Sequence, residues 1–286
     1  ANNMAIKVVT DSTSDLPADV AESLGIEVVP LNIHFGPDVY KDRVNLMPDT
    51  FYDKLINGNV LPTTSQPSVG EFIEVYERLG SDADGIVSVH LSEKLSGTMN
   101  SARLASQQAK AECPIEVVDT FQVSMGVGIC AMEAAEAANS GGDMNQVNLS
   151  ARNAVTRSQC FFMLETLEFL QKGGRIGKAQ ALIGNLLKIR PMLMLQEGEV
   201  HPLGRERTRR KGIAKLVDTV KELAPISGLA VMYSTGQDEA QTLAQNVSKF
   251  MIEGREPMML QIGPVIGTYA GPDTLGIALI SAKSGG

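Results

Sequence analysis

Ile6-Lys7-Val8-Val9-Thr10-Asp11-Ser12-Thr13-Ser14-Asp15 is the stretch that decides the fold class. A β-branched run breaks off into consecutive polar residues, the pattern of a buried strand that ends in a loop. Pro17 then suits the first turn of a helix, Gly25 supplies a C-terminal stop, and a second apolar run fills residues 26–31. Strand, turn, helix and strand in that order predict neighbouring parallel strands.

The same grammar recurs downstream. Gly85-Ile86-Val87-Ser88-Val89 reads as a strand, and residues 97–111 as the helix beyond a polar loop. Ile115-Glu116-Val117-Val118-Asp119 is the next strand, followed by a small-residue helix over 127–139. Helical spacing resumes over 145–157, and Phe161-Phe162-Met163-Leu164 enters a different unit. Gly173-Gly174-Arg175-Ile176-Gly177 is a bend before a helix ending near Leu187. Residues 191–195 and 200–203 flank Gln196-Glu197-Gly198-Glu199, a hairpin signal. Helices over 208–223 and 238–253 and strands over 227–233, 258–270 and 274–281 complete the reading. The expectation is an α/β protein of two domains. Residues 1–158 form a doubly wound, mostly parallel sheet, and residues 159–286 a mixed α/β sheet. Met4 reads as the native start, and the three residues before it are set aside.

Composition removes several classes of function. The 286 residues are 43% hydrophobic, enough for a sizeable core, and 25 Lys+Arg against 33 Asp+Glu give a net charge of -8. That sign repels polyanions, and a chain with 5% aromatic residues and no Trp lacks stacking platforms, so nucleic acid is excluded as a main partner. Cys113, Cys130 and Cys160 show no C-x-x-C spacing, and His34, His90 and His201 stand far apart. Neither a disulfide framework nor a metal centre is predicted. With no apolar run of roughly 18 residues and no secretory pattern, the expectation is a cytoplasmic protein without stable membrane insertion.

Three hydroxyl-rich loops stand near strand ends or helix starts: Asp11-Ser12-Thr13-Ser14, Thr63-Thr64-Ser65-Gln66-Pro67-Ser68 and Ser92-Glu93-Lys94-Leu95-Ser96-Gly97-Thr98. Ligands of open α/β sheets bind beyond the carboxyl ends of the strands, and helix N-termini favour anions. Each loop alone reads as helix capping; several converging on one crevice read as an anion site. Gly126-Val127-Gly128-Ile129-Cys130-Ala131 fits G-x-G-x-x-A, but it lies well past its strand, so close helix packing is the better account. No phosphate-loop run or G-x-S-x-G elbow occurs. Arg205, Arg207, Arg209, Arg210 and Lys211 form a basic run that reads equally as a solvated face or a dock for an acidic partner.

Taken in order, several segments resemble the DegV family, bacterial proteins that bind fatty acids. They are Thr10-Asp11-Ser12-Thr13-Ser14-Asp15-Leu16, Thr64-Ser65-Gln66-Pro67-Ser68, Leu95-Ser96-Gly97-Thr98, Gly173-Gly174-Arg175-Ile176, Arg207-Thr208-Arg209 and Ile262-Gly263-Pro264-Val265-Ile266-Gly267-Thr268. Any one fragment is weak, but the ordered set spans nearly the whole chain. The resemblance implies a two-domain carrier, not an enzyme, with no cofactor beyond one bound long-chain fatty acid. It puts the tail in an apolar tunnel and the carboxylate near the domain interface, with Thr64 and Ser96 as donors. Thr63, Gly97, Ser12, Thr268 and Tyr269 complete the expected ligand contacts. The resemblance also implies a separate ATP-dependent fatty acid kinase as partner, with Arg175 and Arg207 matching positions that serve it. Many members have His where this chain has Tyr269, so charge assistance to the carboxylate is reduced and transfer to a kinase is the step affected.

The chemistry is consistent with that implication. Burying a methylene stabilises by about 0.8 kcal/mol, so about fourteen give on the order of 11 kcal/mol before association entropy offsets much of it. The head group therefore orients more than it binds. Thirteen Met, with Ile and Leu over 161–195 and 258–280, are apolar stock for a tunnel, although individually they read as ordinary core. The residues alone leave a second reading open, an enzyme or sensor acting on a small anionic or phosphorylated ligand through Ser96 or Ser12. His90 reads as structural.

Overall fold

β1 (Ala5–Asp11) is the centre of the first sheet. A computed structural model describes residues 5–184 and 189–283. After β1 come a 3-10 turn (Ser12–Ser14), α1 (Ala18–Leu24), β2 (Ile26–Val29), β3 (Asn32–Phe35), β4 (Asp38–Lys41), α2 (Pro48–Asn57), β5 (Thr63–Ser65) and α3 (Val69–Gly80). β6 (Ala83–His90), α4 (Thr98–Gln108), β7 (Ile115–Asp119), α5 (Met125–Asn139) and α6 (Met144–Arg157) complete the first half. The second half holds β8 (Ser158–Met163), α7 (Glu168–Lys172), a 3-10 segment (Gly177–Leu182), β9 (Arg190–Gln196), β10 (Glu199–Glu206) and α8 (Arg209–Leu223). β11 (Ile226–Tyr233), α9 (Gln237–Val247), β12 (Met258–Gln261), α10 (Pro264–Ala270) and β13 (Leu275–Ser281) follow.

The first sheet runs β2-β1-β6-β7, all parallel. Its inner strands are apolar on both faces because helices cover both. Phe72 and Tyr76 of α3 and Ala102 and Ala105 of α4 pack on Val9 and Ile86, while α5 and α6 pack on Val8, Val87 and Val89. The second sheet, β10-β9-β8-β13-β11-β12, is antiparallel except between β11 and β12. α8 and α9 cover its outer face, where Leu216, Val220 and Leu243 meet Phe161, Met163 and Ile277. Its inner face joins α5 in one continuous core that reaches from Ile6 to Ile280. The α/β class, with a parallel first sheet and a mixed second, is as the sequence predicts.

α5 fits between the sheets through its small residues. A Cβ on Gly126 would lie 2.5 Å from Cys160 Sγ, and one on Gly128 would lie 2.8 Å from the Ser14 carbonyl oxygen. This is the close packing that the glycine spacing implies. Gly126→Val is expected to cost on the order of 3 kcal/mol through overpacking, read as a melting point lowered by several degrees. An unchanged melting point would mean that α5 can move away without loss.

Several local expectations need correction. Residues 258–270 are not one strand: β12 stops at Gln261 and the β-branched run 264–270 is helical. Pro264 occupies the first helical turn behind an extended Gly263, and Gly271 (φ +77) ends the helix. The run over 26–31 breaks after Val29, and α9 ends at Val247 before a 3-10 turn. The helix expected to end near Leu187 begins as the 3-10 segment Gly177–Leu182; its end, like the residues before Met4, lies outside the described residues. β9 and β10 form the expected hairpin, with Glu197 (φ +51) and Gly198 (φ +80) at its tip. A three-stranded antiparallel sheet, β4-β3-β5, and α2 occupy residues 32–65; the sequence reading leaves 32–62 unassigned and takes Thr63–Ser65 as loop, whereas they pair with β3 as a strand.

Candidate functional site

The parallel strands aim three side chains into one crevice. Leu31 follows β2, Leu91 follows β6 and Val123 follows β7, and all three line a single cavity at the carboxyl edge of the first sheet. The opposite wall is the inner face of the second sheet. Phe162 of β8 pairs with Leu193 of β9, and Leu195 pairs with Val200 of β10. Strand alternation brings Phe162, Leu164, Leu193 and Leu195 inward and sends Phe161, Met163 and Met192 to the α8 side. The methionine-rich stretch is therefore core, and no Met stands among the described lining residues. Leu170 of α7 and Val265, Ile266 and Ala270 of α10 close the remaining side. The space not occupied by atoms is about 810 Å³, part of it continuous with solvent at the mouth.

The polar lining comes from four segments. Thr64, Ser65 and Gln66 follow from β5, Ser96 from the loop before α4, Arg175 from the glycine-rich bend, and Tyr269 from α10. Thr64 Oγ1 and Tyr269 Oη share a hydrogen bond. Ser96 Oγ lies 2.9 Å from Thr98 Oγ1 and accepts from the Thr98 N–H at 3.2 Å. The 64–66 and 95–98 segments touch, since a Cβ on Gly97 would lie 2.9 Å from Gln66 Nε2. Arg175 donates from Nε to the Leu95 carbonyl (3.2 Å) and from Nη1 to the Gly173 carbonyl (3.0 Å), with its guanidinium 5.5 Å from the Tyr269 ring centroid. Gly173 lies flat on that ring, where a Cβ would stand 2.6 Å from it. Arg175 is the charged residue of the lining, and no carboxylate or histidine appears among the described lining residues. Such a site suits an amphiphile with one anionic end.

The structure thus brings Thr64, Ser96, Tyr269 and Arg175 to one cavity. The other expected contacts lie elsewhere. Ser12 is buried beneath the wall, its Oγ accepting the Leu31 N–H at 2.9 Å. Thr63 is exposed and pairs with His34 in the ladder. Thr268 is turned into its own helix, donating to the Pro264 carbonyl at 2.9 Å. Gly97 lines an adjoining polar recess that shares Leu95, Ser96, Arg175 and Val200 with the cavity. Arg207 is exposed ahead of α8 and lines neither space. In the basic run, Arg209 is tied to Glu239 (2.7 Å) and to the Asp273 carbonyl (2.8 Å), and Arg205 to the Ala181 carbonyl (3.0 Å). The sequence reading placed the apolar stock in 161–195 and 258–280 but named no individual wall residue, and Leu31, Leu91 and Val123 lie outside both stretches. Their one signal is position, just past the ends of parallel strands.

The Ser12-Thr13-Ser14 turn is a capped structural turn, with the Thr13 N–H on Asp11 Oδ1 at 2.9 Å. His90 is also structural. Its Nδ1 lies 2.8 Å from Asp11 Oδ2 and its Nε2 2.6 Å from Ser88 Oγ, which takes the Tyr76 hydroxyl at 2.8 Å. The order Asp-His-Ser matches a hydrolytic triad, yet Ser88 and His90 are wholly buried and reach no substrate. Among the described residues no group of three or more His, Cys, Asp or Glu is arranged to hold a metal, and no helix is long and apolar enough to cross a membrane.

Comparison with known proteins identifies the family and the fold. The DegV family model, described as an uncharacterised protein family, matches residues 5–282. A DegV domain-containing protein of Clostridium perfringens is 37% identical over 281 residues, covering 96% of this chain and 98% of the relative. The solved structure of a fatty-acid-binding DegV family protein from Thermus thermophilus superposes with a TM-score of 0.89 at 37% identity, over 97% of this chain and 100% of that one. DegV of Bacillus subtilis, described as a fatty acid binding protein, gives 0.85 at 33% identity, over 97% and 99%.

Proposed function

This chain belongs to the DegV family, and we propose that it is a non-catalytic carrier holding one long-chain fatty acid in the cavity between its sheets. The observation that carries this is the segregation of the lining: apolar residues of both halves form the walls, and hydroxyls with one guanidinium come from four neighbouring segments. The tail supplies most of the free energy, at about 0.8 kcal/mol per buried methylene. Thr64 and Ser96 orient the carboxylate, and neutral donors do so without a buried counter-ion. Tyr269 holds Thr64 in position through the hydrogen bond that their hydroxyls share. Relatives described as fatty acid binding at 37% and 33% identity support the assignment of ligand class.

Protein freed of solvent lipid and then denatured should release a long-chain acid detectable by mass spectrometry. An empty protein that also refuses added long-chain acids would rule the carrier out.

The finer reading is presentation of the acid to a separate ATP-dependent fatty acid kinase. Its support is the family resemblance together with Arg175, whose guanidinium is exposed where the polar lining gathers. With Arg207 it forms the expected docking pair. Arg175→Ala should retain fatty-acid affinity within about threefold, because its guanidinium is already bonded to the Leu95 and Gly173 carbonyls, while slowing acyl phosphate formation on addition of such a kinase. Unchanged turnover would remove Arg175 from the docking role.

A further inference from the structure

The loop between β4 and α2 buries a carboxyl that the ligand site does not touch. Asp42 is 1% exposed, and neither of its oxygens has a hydrogen-bond partner. Its neighbour Arg43, at φ +58, donates from Nη2 to the Gln261 carbonyl and lies 3.6 Å from Asp15 Oδ1, while its Nε has no partner. Asp15, also buried, accepts the Gly263 N–H at 3.0 Å and the Ser124 hydroxyl at 2.7 Å. Tyr52 of α2 donates to the Ile262 carbonyl at 2.8 Å. Three consecutive residues, 261 to 263, are thus each gripped by a side chain of the first half. They lead directly into α10, which carries Val265, Ile266, Tyr269 and Ala270 to the cavity. The fit is close: a Cβ on Gly263 would lie 2.7 Å from Asp15 Oδ1 and 2.8 Å from Arg43 Nε.

We infer that Asp42 is a titrating positioning residue for the ligand site: neutral, it leaves Arg43 to Asp15 and the Gln261 carbonyl; ionised, it draws Arg43 away and slackens the hold on α10. This rests on the reading of the cavity as a fatty-acid site. One guanidinium cannot fully serve two buried carboxylates, and a buried charge without a partner is costly. Burial, reinforced by the Asp15 charge, pushes the Asp42 carboxyl up to about 8. Burial also raises Asp15 to about 6, against the opposing pull of Arg43, Ser124 and the Gly263 amide. The other groups facing the cluster do not change this order. From the turn after β1, Asp11 is already bonded to His90, and the Ser12 hydroxyl favours the Asp42 carboxylate while lying outside hydrogen-bonding geometry. From α2, Tyr52 is kept protonated by burial. Ser124 is neutral, and the 261–263 segment presents backbone groups to the cluster. Between about pH 6 and about pH 8, Asp15 is charged and Asp42 neutral, and the grip is tightest.

The test is the release rate of cis-parinaric acid from the full chain, measured by stopped-flow fluorescence from about pH 6.5 to about pH 9.5, where the probe carboxyl stays ionised. Release from the native protein should quicken roughly threefold to tenfold across the upper half of that range, and Asp42→Asn should hold the neutral-pH rate throughout. A flat native profile overturns the inference without recourse to the variant, and so does a rise that survives in Asp42→Asn. Failure of the probe to bind at any pH refutes the fatty-acid reading, and the inference falls with it.

Discussion

Leu193→Trp is expected to abolish binding of long-chain fatty acids while the protein stays folded. Leu193 sits on β9 opposite Phe162, is almost wholly buried, and faces the cavity. An indole at that position projects into space that the tail must use. Excluding about six methylenes forfeits about 5 kcal/mol, a loss of more than a thousandfold in affinity. Displacement of a fluorescent fatty acid reads the affinity, and a thermal melt confirms that the fold survives. Leu193→Ala is the control, since it enlarges the same wall and should keep binding. Native affinity in the Trp variant would mean that the tail runs elsewhere.

The second large effect is expected at the other end of the ligand. Thr64→Ala combined with Ser96→Ala removes two hydroxyl donors from the polar lining. A hydrogen bond to a charged group contributes about 1.5–3 kcal/mol, and nearby backbone amides offset part of the loss. Fatty-acid affinity should therefore fall by roughly tenfold to several hundredfold, with the melting point of the ligand-free protein little changed. The corresponding alcohol, which carries no charge, should lose much less. Equal losses for acid and alcohol would show that the mutations disturb the walls and not the head group. Undiminished acid binding would place the carboxylate away from this mouth.

What the sequence revealed follows from where local chemistry and tertiary packing agree. The parallel half was legible because runs such as 85–89 and 115–119 are rich in β-branched residues and stopped by polar turns. The glycines of α5 were legible as packing residues because their spacing suits close approach: Gly126 meets Cys160 of the second sheet and Gly128 the turn after β1. Residues 264–270 were misread because Val265, Ile266, Thr268 and Tyr269 favour strands, whereas Pro264 and the grip on 261–263 start a helix. The hydroxyl loops were legible as a group but not one by one. Ser12 and Ser96 look alike in sequence, yet Ser12 is used up by the Leu31 amide and Ser96 lines the cavity. The wall was legible only as the apolar stretches 161–195 and 258–280, not residue by residue. Met192 and Leu193 differ by one step of strand alternation, and only pairing with β8 decides which of them meets empty space.

The most direct test of the account is an electron-density map of this protein with palmitate bound. The account predicts carboxylate oxygens within about 3 Å of Thr64 Oγ1 and Ser96 Oγ, and a tail running between Leu91 and Leu193. A carboxylate pointing away from both hydroxyls, or side chains filling the space between those leucines while the acid binds elsewhere, would contradict it.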